Sequence, residues 1–164
     1  MLIPCTAAAL TLGSSMMAFA ATGWLQEDEI WHYYDRNGDE VTSSWKKSGN
    51  DWFWLDEDGE MAVSQLVEDN DNYYYVNESG VMVRSQWREL ENDDPQDDDE
   101  SDTVWYYFGA DGKAYKAKDS GRVNFKTIVR ADGATKKYAF DEEGKMLYGW
   151  IDEQGERQTG DDAW

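Results

Sequence analysis

Aromatic side chains recur at a fixed interval along this sequence, and they are the residues best suited to bind something. Four positions spaced 21 residues apart hold Trp24, Trp45, Leu66 and Trp87. The 164 residues include 9 Trp, 10 Tyr and 5 Phe. Ring faces attract large, weakly hydrated cations, and they also stack on flat apolar surfaces. The spacing therefore predicts a repeated structural element built from aromatic rings.

Each of these positions is followed by an aromatic run and then by a turn glycine in the same phase. The runs are Trp31-His32-Tyr33-Tyr34, Trp52-Phe53-Trp54-Leu55, Tyr73-Tyr74-Tyr75-Val76, Trp105-Tyr106-Tyr107-Phe108 and Tyr138-Ala139-Phe140. Gly38, Gly59 and Gly80 are also 21 residues apart, and Gly112 and Gly144 each follow after 32. Self-similarity at a fixed period indicates a repeat architecture.

Each copy is predicted to be a β-hairpin that positions its rings. An aromatic run has high strand propensity, and its side chains alternate between two faces. Asp35 or Asp56 can then bond to the backbone N–H two residues on, while the following glycine takes a positive φ. We expect residues 61–63 and their equivalents to form the returning strand. Since one hairpin is unstable alone, the fold class is all-β, with stacked β-hairpin repeats forming a β-solenoid and the middle ring of each run in the core.

Charge and composition exclude several other functions. A formal charge of -20 repels phosphate backbones, so nucleic acid is excluded as a partner. Residues 21–112 contain 25 acidic and 5 basic residues, whereas residues 113–164 contain 10 of each. His32 is the only histidine, and no nucleophile–base pair, zinc cluster or phosphate loop is visible, so we expect no catalytic residue, metal or cofactor.

The ends of the chain carry expectations about its cellular location. Residues 1–20 are uncharged and end in Ala18-Phe19-Ala20, the small-x-small pattern of a signal-peptidase site, so we expect an exported protein without a membrane span after cleavage. The basic start of a signal peptide is missing, which suggests N-terminal truncation. Residues 21–164 are expected to form one module of about five hairpins plus an incomplete sixth, with an acidic insert at residues 92–102 and a catalytic domain conceivable in a longer parent.

At these motifs the chain resembles the choline-binding or cell-wall-binding repeats (glucan-binding-like) of Gram-positive surface proteins. Gly23-Trp24 with the run to Gly38 reproduces the start of such a repeat, and residues 144–150 reproduce the join between two repeats. The resemblance covers nearly all of residues 22–164. It implies a hairpin solenoid in which two or three rings, with a Met in some cases, form a cage between successive hairpins. The implied ligand is choline on teichoic acid, or glucan in related repeats.

The family's cage residues can be carried over to this chain position by position. One cage would join Trp24 and Trp31 to Trp52 or Trp54, a second Trp45 and Trp52 to Tyr73 or Tyr75, and a third Trp87 and Trp105 to Met82. The implied ligand-binding residues are Trp24, Trp31, Trp45, Trp52, Trp54, Tyr73, Tyr75, Met82, Trp87, Trp105 and Tyr107. Leu66 and Lys137 depart from the pattern, so we expect at most two or three competent sites.

The sequence thus predicts a secreted, non-catalytic module that attaches to the cell-wall surface by binding choline of teichoic acids. The alternative is a carbohydrate-binding repeat module whose rings stack on neutral sugars of a glucan or glycan. A structural spacer with decayed cages is a third hypothesis. The acidic field attracts a cation but repels the phosphates of teichoic acid, so ring spacing rather than charge carries the prediction.

Overall fold

The structure, a computed structural model, describes residues 22–92, 102–118 and 123–147, and all of its regular elements there are β-strands. The predicted signal peptide, most of the acidic insert and the incomplete sixth repeat lie outside the described residues. The all-β prediction is confirmed for the described part of the chain.

Eleven strands form five successive antiparallel hairpins. The strands are β1 Gly23–Glu27, β2 Ile30–Tyr34, β3 Ser44–Ser48, β4 Asp51–Leu55, β5 Gln65–Asp69, β6 Asn72–Val76, β7 Gln86–Glu91, β8 Thr103–Phe108, β9 Asn124–Val129, β10 Thr135–Phe140 and β11 Met146–Leu147. Hairpins 1 to 4 are the pairs β1–β2, β3–β4, β5–β6 and β7–β8, and hairpin 5 is β9–β10 with β11 added at its edge.

The predicted partner of the aromatic strand was wrong. The aromatic run pairs along its length with the strand before it, whereas the stretch after the turn glycine adds an isolated bridge such as Leu55↔Met61 in hairpins 1 to 4 and the two-residue β11 in hairpin 5. The cause lies in the short turns between paired strands. Asp28 and Glu29 both have positive φ, as a two-residue type I′ turn requires, and this turn matches the twist of a hairpin.

The predicted turn after each aromatic run is confirmed. The Oδ1 atom of Asp56 accepts hydrogen bonds from the backbone N–H groups of Asp58 at 3.0 Å and Glu60 at 2.9 Å. Gly59 has a φ of 80°. The Asx bonds and the left-handed glycine together reverse the chain after the run.

Backbone hydrogen bonds join each hairpin to the one before it. The N–H of Met61 donates to the carbonyl of Trp31, that of Met82 to Trp52 and that of Ala114 to Tyr73, each at 2.8 Å. The same geometry three times over fixes the stagger between neighbours, and the result is a stacked β-solenoid in which each repeat contacts its neighbours.

The core lies between the hairpins and is built from the second and fourth residues of the aromatic runs. The fourth residues are fully buried (Leu55, Val76, Phe108 and Phe140, each 0% exposed), and the second residues Phe53, Tyr74 and Tyr106 are also buried. This places the predicted middle rings in the core. Because the rings supply most of the buried area, the chain folds with few aliphatic residues.

Replacing Gly80 by alanine should destabilise the fold more than replacing Gly133. Both glycines have positive φ, 75° and 80°. A Cβ at Gly80 would lie 3.1 Å from the backbone carbonyl oxygen of Ala62 in the preceding repeat, whereas a Cβ at Gly133 meets nothing within 4 Å. We expect a loss of about 1 kcal/mol for Gly133→Ala and about 2–3 kcal/mol for Gly80→Ala in urea unfolding. Equal losses would show that the stacking contact is unimportant.

Candidate functional site

The candidate site is a groove that repeats between successive hairpins. We number the grooves 1 to 4 by the hairpin that opens each one. In hairpin 1, Trp24 pairs with Tyr33 and Gln26 pairs with Trp31, so both paired sets of side chains share one face. The ring centroids of Trp24 and Tyr33 lie 5.3 Å apart, and the two rings are T-shaped. One side of each groove is therefore formed by the residue at the opening position, which is one of the four positions spaced 21 residues apart. The first and third residues of the aromatic run on the paired strand complete that side.

The next hairpin closes each groove with the second residue of its own run. Trp24 contacts Phe53 at 5.4 Å, and Trp45 contacts Tyr74 at 5.1 Å between ring centroids. Trp87 makes the same contact with Tyr138 at 4.7 Å. Tyr138 is the second residue of the run in hairpin 5, because Lys137 occupies the first position. An indole from one repeat and a ring from the next thus meet edge to face at three of the four grooves.

The ring that closes each groove differs from the sequence-based assignment. That assignment placed Trp52 or Trp54 against Trp24, but the ring in contact is Phe53, between them in sequence. Alternation explains the difference, because the second residue of a run points towards the preceding hairpin and the first and third point towards the following one. Sequence reasoning had assigned this ring to the core alone, although the period-2 pattern contains the signal that would have found it.

Groove 2 brings the most predicted residues together. Trp45 lies 5.1 Å from Trp54, and Trp45, Trp52 and Trp54 pack against a buried cluster that includes Tyr74 and Met82. The sequence placed Met82 with Trp87 and Trp105, whereas the structure places it in this cluster. The soft thioether is suited to form a wall beside rings. Burial raises the pKa of the Tyr74 phenol, and nearby Asp69 raises it further, so the ring stays uncharged at neutral pH.

Groove 4 has an open cleft beside its rings. Trp87 contacts Trp105 at 6.3 Å and Tyr107 at 5.1 Å. Beside them lies an open cleft of about 490 Å³, whose lining is Ser85, Gln86, Trp87, Tyr107, Val129, Arg130, Ala131 and Tyr138. Three of the lining side chains are rings and three are polar. The volume is within the range of small-molecule sites.

Groove 3 departs from the other grooves. Leu66 stands at the opening position and is 36% exposed. Tyr73 lies at its first ring position and packs against a buried cluster that contains Tyr75, Val83, Tyr106 and Phe108. Burial raises the pKa of the Tyr73 phenol, with the Glu68 carboxylate as the next cause. This groove therefore lacks the indole that the others share.

Lysines of the chain itself lie over rings of grooves 1 and 2, and the Lys136 Nζ lies 5.3 Å from the centroid of Tyr138 in groove 4. The Lys46 Nζ is 5.2 Å from the Tyr33 centroid, and the Lys47 Nζ is 5.9 Å from that of Trp52. These distances fall within the range of cation–π attraction. The rings already attract ammonium groups within the protein.

Replacing Lys47 by glutamine should strengthen cation binding in groove 2. Gln26 stands at the equivalent position of hairpin 1, facing Trp31. Removal of a competing ammonium from Trp52 should tighten tetramethylammonium binding about 2- to 5-fold in calorimetric titration. Lys118→Gln, which makes the same charge change at an exposed site outside the grooves, should leave affinity within 1.5-fold, roughly what a charge effect at a screened distance allows. Equal gains in both variants would refute the local effect.

Other chemistry finds little support in the described part of the chain. His32 contacts Glu40 at 2.7 Å from Nδ1, which ties the only histidine to a carboxylate rather than to a nucleophile. Within residues 22–92, 102–118 and 123–147, no three His, Cys, Asp or Glu side chains are placed to hold a metal ion. None of the described segments is a helix with the length and apolar character needed to cross a membrane.

Known proteins match these repeats. Residues 41–87 match the model of the choline-binding repeat, and residues 22–39 and 101–114 match that of a putative cell wall binding repeat. No curated protein sequence matches the chain.

Three solved structures illustrate the structural likeness. The choline-binding domain of Spr1274 from Streptococcus pneumoniae is 26% identical, with a TM-score of 0.44 over 60% of this chain and 99% of that one. CbpF, solved in complex with ipratropium, is 25% identical, with a TM-score of 0.46 over 78% of this chain and 32% of that one. Truncated alternansucrase from Leuconostoc mesenteroides is 21% identical, with a TM-score of 0.54 over 77% of this chain and 10% of that one, and this likeness shows the fold.

Proposed function

The chain carries repeats of the choline-binding and cell-wall-binding type, and we propose that it is a non-catalytic attachment module that holds choline groups of cell-wall polymers in grooves 1, 2 and 4. The observation that carries this proposal is the recurring contact between the opening Trp of one hairpin and the second ring of the next. That contact sets the opening indole beside a ring of the next hairpin at each of these joints, and at groove 4 an open cleft lies next to them.

The chemistry of these grooves fits a quaternary ammonium. The trimethylammonium group is large and weakly hydrated, so it loses little on leaving water and gains from several ring faces at once. Each face contributes roughly 0.5–2 kcal/mol, depending on desolvation. Three faces give on the order of 3–5 kcal/mol, which corresponds to roughly millimolar affinity at one groove.

Weak single sites become useful when several act on one polymer. Backbone bonds between hairpins hold grooves 1 and 2 in fixed register, so these neighbouring grooves can engage neighbouring choline groups of one chain. Linked sites of this kind gain roughly 10²- to 10⁴-fold in avidity without new contacts. We therefore propose choline-bearing teichoic acid as the partner and the cell surface, reached by secretion, as the location.

The residues proposed to line the grooves are those predicted from the sequence, with additions from the structure. Groove 1 has Trp24, Trp31 and Phe53; groove 2 has Trp45, Trp52, Trp54, Tyr74 and Met82; groove 4 has Trp87, Trp105, Tyr107 and Tyr138. Tyr73 and Tyr75 belong to groove 3, which lacks its opening indole.

Retention on immobilised choline tests the proposal. The full chain should bind the resin at low salt and elute with free choline but not with NaCl at equal ionic strength, because a purely electrostatic contact would respond to both alike. A column of immobilised dextran, run in parallel, tests the hypothesis that the chain binds carbohydrate. Passage through the choline resin without retention would contradict the proposal, and retention by dextran alone would favour stacking of rings on sugars.

A further inference from the structure

Three departures from the repeat pattern converge on groove 3. Leu66 replaces the opening indole, and Ala114 stands where Met61 and Met82 bridge the preceding repeats. Two residues further on comes Lys116, at the position equivalent to Arg84. The groove therefore has neither the indole nor the thioether of groove 2, and the cationic side chain near it is a lysine rather than an arginine.

The geometry around Lys116 places this ammonium on the ring of the groove. The Lys116 Nζ lies 5.4 Å from the centroid of Tyr73 and 2.8 Å from the Asp71 Oδ1. Tyr73 stands at the position that Trp31 and Trp52 occupy in grooves 1 and 2, and its carbonyl accepts the Ala114 N–H at 2.8 Å. The backbone thus holds the lysine beside the ring.

Lys116 has a carboxylate partner as well as a ring face. Its side chain is 19% exposed, while its partner Asp71 is 90% exposed. Lys47, over Trp52, is an exposed residue on its own hairpin. Arg84 points to the tip of hairpin 2 and donates to the Asn50 carbonyl at 2.7 Å. Lys116 therefore combines partial burial, a carboxylate partner and a ring face.

We infer that the Lys116 ammonium is a built-in ligand that occupies the cation position of groove 3 and closes that groove to choline. An intramolecular group competes at an effective concentration of millimolar or more, comparable with the affinity expected of free choline for a complete groove. The same contact joins hairpins 3 and 4 whether or not ligand is present. The inference rests on the proposed function for the choice of ligand. The contact of Lys116 with Tyr73 and Asp71, which we call the latch, does not depend on that function.

Ligand-free unfolding of the full chain tests the latch. Lys116→Ala should lower the melting temperature by about 2–4 °C relative to Lys118→Ala, which removes an equal charge from an exposed site two residues away. Equal melting temperatures would overturn the latch. This measurement needs no choline, so it remains decisive even if the proposed function fails.

Counting choline sites by calorimetric titration tests the closure of the groove. Leu66→Trp supplies the missing indole and should add no site while Lys116 is present. Leu66→Trp combined with Lys116→Ala should add one site to the wild-type number. A new site in Leu66→Trp alone would overturn the inference. It would also be overturned if the combined variant is folded but binds choline at only the wild-type number of sites.

Discussion

Trp45→Leu is expected to remove choline binding at groove 2 and to weaken retention on a choline surface. The substitution copies Leu66, which stands at the same position one repeat later. It removes the ring that contacts both Trp54 and Tyr74 at 5.1 Å. Loss of one desolvated ring face, at about 2 kcal/mol, weakens that groove about 30-fold, which leaves it empty at millimolar choline. Calorimetric titration should then count one site fewer.

Trp45→Phe is the matched control, because it shortens the side chain but keeps a ring face in the groove. It should retain the wild-type number of sites with an affinity reduced about 3- to 5-fold, as expected for a smaller quadrupole. Folding of both variants can be checked by circular dichroism before titration. Wild-type affinity and site number in folded Trp45→Leu would show that the indole serves packing alone.

Phe108→Ala is expected to give the largest loss of stability of any single change considered for this chain. The ring is 0% exposed and lies 6.2 Å from both Tyr75 and Tyr106, at the joint of hairpins 3 and 4. Truncating a buried Phe to Ala costs about 3–5 kcal/mol, because the transfer free energy is lost and a cavity remains. Small domains have about 5–15 kcal/mol in all, so the loss should lower the urea midpoint markedly.

The control for this stability prediction is Val129→Ala. Val129 is a strand residue with 67% of its surface exposed, so its truncation should change the free energy of unfolding by less than about 0.5 kcal/mol. A loss below about 1 kcal/mol for Phe108→Ala would contradict a core built between hairpins, because truncation at a tightly packed site leaves a cavity that costs more than this.

Local chemistry accounts for the parts of the fold that the sequence could predict. The Asx bond of Asp56 and the positive φ of Gly59 follow from residue types within four positions of each other. The strand partner was missed because pairing before or after the run is decided by turns such as Asp28-Glu29, whose side chains give no glycine signal for positive φ. Two adjacent non-glycine residues with positive φ are uncommon, and propensity argues against them.

The grooves could be predicted only in part, because the sequence period identifies equivalent residues but not how neighbouring hairpins stack. The opening indoles could be identified from spacing alone, since a 21-residue period brings equivalent side chains to equivalent places. The assignment of Phe53 to the groove needed the stacking direction of the hairpins, which period and composition do not contain. The contact between Lys116 and Asp71 spans 45 positions and depends on the same stagger. Such contacts become visible only when neighbouring repeats are placed in space.

A crystal structure of the full chain soaked in choline would show where the cation binds. We expect a trimethylammonium group within about 6 Å of the ring centroids of Trp24, Trp45 and Trp87, the range of cation–π contact, with the Lys116 ammonium remaining over Tyr73 in groove 3. Choline bound to surface carboxylates away from these rings, or no bound choline at a concentration that elutes the protein from the resin, would contradict this expectation.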